Sequence, residues 1–251
     1  MIAFVLTGAS DRPRVTLLTA LPLVWGEGDV ADVLAGRTAR SDTLKALDGF
    51  VDIRAIDTLS VATLGTDIAI IAQPRRLTPT ELVAFDGWVR RGGRTMIFAD
   101  PELVWPSRYA PGDNRRAPPV TLLDPLFAYW GVALGDSDQQ ERAVQLSGSQ
   151  VTLLAAGTWT GPTNCSGTGT YVLDCEIGKG HVILLGDADL LDARLWQGWR
   201  TDNATWLSQQ LLRLGDKDQS QSTRTLDATV AAVAIAGAIA LALMYRRFRR
   251  T

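Results

Sequence analysis

The sequence predicts an α/β domain built on an open, mostly parallel sheet with helices on both faces, a C-terminal β-hairpin region and one C-terminal transmembrane helix. Three observations carry that expectation. Apolar strand-like runs alternate with helical patterns over the first hundred residues, short turns separate them, and residues 226–244 form an almost uninterrupted apolar stretch.

The elements follow in order. Residues 14–19 (RVTLLT) form a short apolar run, and a loop punctuated by Pro22, Gly26 and Gly28 comes next. Residues 42–50 carry a helical pattern that leads into the run 51–56, and residues 67–72 (DIAIIA) have the near-continuous apolarity of a buried parallel strand. Thr78-Pro79-Thr80-Glu81 is a helix start: Thr78 is placed to cap, Pro79 suits the first helical position, and Glu81 completes a capping box. Leu82, Phe85, Trp88 and Val89 supply the apolar stripe of that helix, Gly92-Gly93 ends it, and residues 94–99 start another strand. Residues 101–119 are a long loop, sized to cover a cleft. Residues 121–130 read as a helix stopped by Gly131; residues 142–146, 151–155, 171–177 and 181–185 read as strands, and 202–214 as a closing helix.

The remainder concerns the membrane. At about 1.5 Å rise per residue, the span at 226–245 is long enough to cross a hydrocarbon core of roughly 30 Å. Four arginines follow directly at 246–251, which the positive-inside rule places in the cytoplasm, so the main body at 14–215 is expected on the extracytoplasmic side of the inner membrane. Residues 216–225 form a polar tether. Residues 1–13 open with Met1-Ile2-Ala3-Phe4-Val5-Leu6, which reads as the last turns of a further membrane segment; a buried N-terminal strand is the alternative. Within the span, Ala232, Ala236 and Ala240 share one face, a spacing that permits close helix approach but that Ala-rich helices show by default.

Without residues 226–251 the chain holds 21 basic against 26 acidic side chains, an acidic body with no electrostatic reason to seek nucleic acid. Cys165 and Cys175 flank a Gly-rich turn, and in an oxidising compartment a hairpin disulfide is expected. Two cysteines and one histidine do not supply a four-ligand zinc site. Asn164 and Asn203 begin Asn-x-Ser/Thr triplets that carry no weight on their own.

Three segments resemble a known family: Ile70-Ile71-Ala72-Gln73-Pro74-Arg75-Arg76-Leu77-Thr78-Pro79-Thr80-Glu81-Leu82, Phe85-Asp86-Gly87-Trp88-Val89-Arg90-Arg91-Gly92-Gly93-Arg94, and Phe98-Ala99-Asp100-Pro101. Leu123-Asp124-Pro125-Leu126, Trp130-Gly131-Val132, Gly178-Lys179-Gly180-His181-Val182 and Gly186-Asp187-Ala188-Asp189-Leu190 extend the likeness. Together they resemble the extracytoplasmic domain of gliding-motility-type ABC transporter auxiliary proteins, or of related membrane proteins found beside MoxR-type ATPases. That resemblance implies a class I glutamine-amidotransferase-like, flavodoxin-like fold flanked by membrane helices. It also implies partners among an ABC permease and ATPase or MoxR-type components, with ATP hydrolysis left to another chain.

The residues themselves offer little chemistry. An acyl-transfer site needs a nucleophile on a strand-to-helix turn beside a base, but both cysteines lie in the hairpin region and His181 opens an apolar strand. Gly178-Lys179-Gly180 is a turn without the phosphate-loop pattern. Asp187, Asp189 and Asp192 invite a hard-cation reading, yet capping by Asp189 of a helix beginning at Leu190 explains such residues more economically, and no metal, cofactor or catalytic residue is expected. Ligands of open parallel sheets bind beyond the carboxyl ends of the strands. That edge gathers Trp25, Glu27 and Asp29, then Gln73 and Arg75, then Asp100, Trp105 and Arg108, a set suited to a partner loop, a peptide or a sugar. The leading expectation is a non-catalytic, membrane-anchored auxiliary subunit of an ABC-type or related envelope complex. A degenerate amidotransferase or hydrolase acting on envelope material with His181 and an aspartate is the alternative, and a purely structural envelope protein a third.

Overall fold

The computed structural model describes residues 12–28, 30–35, 40–65, 68–196 and 202–216. In chain order the elements are β1 (Arg14–Thr19), α1 (Val30–Leu34), α2 (Asp42–Leu47), β2 (Asp52–Ala55), α3 (Val61–Leu64), β3 (Ile68–Ala72), α4 (Pro79–Arg90), β4 (Arg94–Phe98), α5 (Asp124–Trp130), β5 (Ala133–Leu134), β6 (Glu141–Leu146), β7 (Ser149–Leu154), β8 (Trp159–Thr160), β9 (Cys165–Ser166), β10 (Val172–Ile177), β11 (Gly180–Leu185) and α6 (Asn203–Gly215). Two 3-10 turns, Asp189–Leu191 and Ala193–Trp196, separate β11 from α6.

Seven strands form one sheet in the order β2-β1-β3-β4-β11-β10-β9. The first five are mutually parallel, and β10 and β9 close one side antiparallel. The mostly parallel sheet expected from the apolar runs is present, with helices on both faces. Because side chains alternate across a strand, the inner strands split into two cores. Val15, Leu17, Ile68, Ile70, Met96, Phe98, Ile183 and Leu185 face α2, α6 and the β6–β7 hairpin, and bury Trp206, Leu207 and Leu211. Leu18, Ala69, Ile71, Ile97, Val182 and Leu184 face α3, α4 and α5, and bury Phe85, Val89, Phe127 and Trp159. Strands covered on both faces need no polar alternation, which is why β3, the Met96–Phe98 part of β4 and the Val182–Leu185 part of β11 read as continuous apolar runs.

Helix α4 forms as its start signal dictates. Thr78 Oγ1 accepts from Glu81 N–H at 3.2 Å, and Glu81 Oε2 accepts from Thr78 N–H at 2.9 Å. Its far end turns directly into β4. Gly93 is required there because a Cβ would lie 2.4 Å from the Trp88 ring, which itself donates from Nε1 to Gly65 O at 3.2 Å. Gly131, at φ 74°, ends α5 in the left-handed conformation.

The expected bridge is present: Cys165 and Cys175 face each other across β9 and β10 with 4.1 Å between Cα atoms. The chain divides into a unit through Leu214 and a second unit from Gly215 onward. Among the described residues no helix is long and apolar enough to cross a membrane. The expected span at 226–245, the basic tail at 246–251, the tether from residue 217 and the first eleven residues lie outside the described residues.

Candidate functional site

The carboxyl ends of β1, β3, β4 and β11 lie side by side, so the segments that follow them meet at one edge of the sheet. Gln73 stands immediately after β3 with φ 39°, a value that non-glycine residues rarely adopt. Its backbone N–H donates to Phe98 O, its side-chain Oε1 accepts from Asp100 N–H at 3.0 Å, and its Nε2 donates to Pro118 O at 2.9 Å. One buried amide therefore holds both ends of the 101–119 loop.

That loop is a pinned strap. Leu103 N–H donates to Pro119 O and Thr121 N–H to Asp100 O, and Val104 N–H reaches Asp189 Oδ2 at 2.7 Å. At its tip, Arg108 N–H donates to Glu27 Oε2 at 2.6 Å and the Tyr109 hydroxyl donates to Glu27 O at 2.8 Å. Arg115 lies 4.2 Å over the Tyr109 ring and forks onto Asp113, while Arg108 flanks the same ring at 5.7 Å. The strap thus crosses the sheet edge and joins the loop after β1.

Beneath it lies a buried acidic cluster. Asp100, Asp187 and Asp189 bring carboxylate oxygens within 4.8 Å of one another, because β4 and β11 are neighbours and Asp100 and Asp187 follow them. Burial, with added charge repulsion from Glu102, raises the Asp100 carboxyl to about 6 despite three backbone N–H donors. Burial and then the charges of Asp100 and Asp192 raise Asp189 to about 7, and burial followed by the Asp100 charge pushes Asp187 well above the usual carboxylate range. One oxygen from each is the arrangement a small hard cation would use. However, five of the six oxygens already accept backbone N–H groups: Glu102, Ala188 and Asp189 on Asp100, Leu154 and Leu190 on Asp187, and Val104 on Asp189. The cluster is therefore tied into the backbone of three segments: the strap, the end of β7 and the turn after β11.

This corrects two sequence expectations. Asp187, not Asp189, caps the turn, accepting from Leu190 N–H at 3.0 Å, and that turn is a 3-10 segment beginning at Asp189. Asp192 does not join the cluster, because it is paired with Arg194; Asp100 takes its place through the adjacency of β4 and β11.

The remaining expected site residues fall in different surroundings. Arg75 is committed to a bidentate pair with Glu81, at 2.8 and 3.1 Å, and donates to Asp57 O at 2.6 Å. Trp105 is half-buried against one core and lines a narrow crevice under the strap with Pro22, Leu103 and Arg116. Asp29 lies outside the described residues. Trp25 and Glu27 line an open depression of about 520 Å³ beyond β1 and β2, with Thr19, Pro22, Val24, Ile56, Asp57 and Arg115 among its other walls. Asp57 was missed by sequence reasoning; its one signal is its position just after the strand-like run ending at Ile56.

His181 lies at the opposite end of the sheet. It pairs in register with Arg94 at the start of β4, six residues and so roughly 20 Å along the strand direction from the acidic cluster. Its Nε2 is 2.5 Å from Asp174, whose second oxygen accepts from Arg213 at 3.0 Å. Burial opposes the ionised form of Asp174, but these two partners outweigh it and hold the carboxyl below its ordinary value.

The family model of an ABC-type uncharacterized transport system matches residues 12–140, which run from the start of β1 to the start of β6 and include the whole strap. No curated protein matches the sequence significantly. Among solved structures, the fold is similar to the mmIFT52 N-terminal domain, with TM-score 0.52 and 12% identity over 82% of this chain and 98% of that one. It also matches exo-beta-1,4-mannosidase Op5Man5 from Opitutaceae bacterium strain TAV5, with TM-score 0.48 and 16% identity over 82% of this chain but 36% of the enzyme. A further match is the cytoplasmic protein STM1381 from Salmonella typhimurium LT2, with TM-score 0.47 and 13% identity over 71% of this chain and 89% of that one. At such identities the likeness is one of fold alone, whereas the family match spans just over half of the sequence: the chain belongs to the family of ABC-type uncharacterized transport system auxiliary proteins.

Proposed function

We propose that this chain is a membrane-anchored, non-catalytic auxiliary subunit of an ABC-type transport complex, whose extracytoplasmic α/β domain docks a partner at the carboxyl edge of its sheet. The observation that carries the reading is the family match over residues 12–140, the segment that builds β1 to β4 and the strap across that edge. The apolar stretch at 226–244 with its arginine flank supports the anchor, and the Cys165–Cys175 bridge fits an oxidising compartment. The five-stranded parallel run β2-β1-β3-β4-β11 supports the amidotransferase-like, flavodoxin-like assignment of the fold.

A non-catalytic role fits the chemistry of the edge. Both sulfurs are consumed in the bridge, the imidazole sits at the far end of the sheet, and the three clustered carboxylates are essentially shielded from solvent. A hydrolase needs an acid, a base or a nucleophile that reaches its substrate; here the cysteines are bridged, the imidazole is paired with Asp174 and the clustered carboxylates face backbone N–H groups.

The test is affinity purification of the tagged full-length chain from detergent-solubilised membranes of its own host. An ABC permease and ATPase should co-elute, and loosening the strap with Glu27→Ala should reduce their recovery. Elution of the chain alone, from extracts in which both proteins are present, would refute the reading.

A further inference from the structure

The depression beyond β1 and β2 has a charge balance that its residue names hide. Arg115, the one basic side chain among its described wall residues, forks onto Asp113 in a two-point contact and packs over Tyr109. Arg108 stacks on the same tyrosine and is not among the wall residues. Arg75, the cation nearest Asp57, is neutralised by its fork onto Glu81. The Asp57 charge still acts on Arg75, whose guanidinium is forked onto Glu81, so among the described residues the Glu27 and Asp57 carboxylates meet the depression with no salt bridge of their own. Glu27 Oε2 accepts the neutral backbone N–H of Arg108, and Asp57 uses its backbone oxygen, leaving a carboxylate with no hydrogen bond among the described residues. Beside them stands Trp25, the largest apolar side chain a protein has, left 62% exposed next to Pro22, Val24 and Ile56.

An exposed indole face next to two carboxylates that hold no salt bridge among the described residues is complementary to a cation that carries its own flat or aliphatic surface. We propose that this depression receives the side chain of an arginine or lysine from a loop of a partner protein, its charged head between Asp57 and Glu27 and its stem or guanidinium plane against Trp25. The proposal rests on the docking reading given above and names the chemistry of the contact. An anionic ligand is repelled by the same two carboxylates, and a purely apolar one leaves them desolvated and unpaired.

The test uses the full chain in detergent micelles, with the peptide acetyl-Gly-Arg-Gly-amide as probe and its citrulline counterpart, the same shape without the charge, as control. Binding is read from the tryptophan indole N–H signals in a nitrogen-edited NMR spectrum. The arginine peptide should shift the signal that disappears in Trp25→Phe. The citrulline peptide should bind about tenfold more weakly or worse, as should the arginine peptide to Asp57→Asn, the loss of one close charge pair in a solvent-open site. Asp57 has no side-chain hydrogen bond to lose, so Asp57→Asn keeps the fold, and an unchanged melting curve verifies it. Equal binding of the two peptides, equal binding by wild type and Asp57→Asn, or no shift of the Trp25 signal would each overturn the proposal. If these outcomes occur while the permease and ATPase still co-purify, the cationic contact falls and the auxiliary-subunit reading stands; if wild type fails to co-purify them, the latter falls on its own.

Discussion

The backbone N–H of Asp100 donates to Oε1 of Gln73 across 3.0 Å, although 27 residues separate the two in sequence. The bond exists because β3 and β4 are adjacent and end level with one another. With its other end on Pro118 O, the Gln73 amide satisfies backbone groups at both ends of the strap. Gln73→Leu keeps the volume and strands both groups in a buried setting, at about 1–3 kcal/mol each. A loss of roughly 2–4 kcal/mol in urea denaturation is therefore expected, together with faster proteolysis within residues 101–119. A loss below about 0.5 kcal/mol, the scatter of an inert surface change, would show that the bracket is dispensable.

The acidic cluster sets a pH dependence of known sign. In the folded protein Asp100 and Asp189 hold their protons to about 6 and about 7, whereas unfolded carboxyls release theirs near 4. Between about pH 4 and pH 7 the folded state binds more protons than the unfolded one, so the cluster's contribution to stability falls as pH rises through that window. Asp189→Asn removes one charge while its carbonyl oxygen still accepts from Val104 N–H. It should flatten the fall and make the variant more stable than wild type at pH 8 but not at pH 4, as measured by chemical denaturation at both values.

Glu81 has the opposite sign. Arg75 first, and then the N–H groups of Thr78 and Leu59 and the Thr78 hydroxyl, hold its carboxyl down at about 2 against the cost of burial. Its contribution is complete above about pH 4.5 and is lost as pH falls towards 2. The carboxylate caps α4, anchors Leu59 and is 8% exposed, while Arg75 is 45% exposed. Glu81→Ala should cost about 2–4 kcal/mol as a buried acceptor of several N–H groups, and Arg75→Ala about 1 kcal/mol or less as a half-exposed partner. Thermal melts of the two variants reverse this picture if Arg75→Ala is the more damaging.

The bridge between β9 and β10 closes a ten-residue separation at the edge of the sheet. Cross-linking a loop of that size contributes about 2–3 kcal/mol, mainly by restricting the unfolded chain. Reductant should lower the denaturation midpoint of wild type, and Cys165→Ser/Cys175→Ser should show the lowered midpoint with or without reductant. An identical midpoint for wild type in both conditions would mean that the bridge does not form.

Much of this architecture was legible in the residues, for identifiable reasons. β3, the Met96–Phe98 part of β4 and the Val182–Leu185 part of β11 are covered on both faces and so spell apolar runs, and α4 announces itself through Thr78, Pro79 and Glu81. Helix α3 escaped because it is four residues long and its capping box uses Ser60 and Thr63 in place of an acidic partner. β5, β8 and β9 are two-residue ladders, too short to carry a period. The site was harder to read because strand order decides it. Asp187 and Asp189 are visible as neighbours, but their third member is 87 positions before Asp187 and joins them only through the pairing of β4 with β11. Arg75 looked like a free donor at the edge, and only the path of Glu81 across α4's first turn reveals that its charge is already spent.

The most direct check is protease accessibility of the native full-length chain in intact spheroplasts, followed by an antibody against the body at 14–215. An outward-facing domain held by the segment at 226–245 predicts that added trypsin degrades the body while cytoplasmic markers survive, and that the chain sediments with membranes. A body that trypsin reaches only after lysis, or a chain recovered in the soluble fraction, would contradict it.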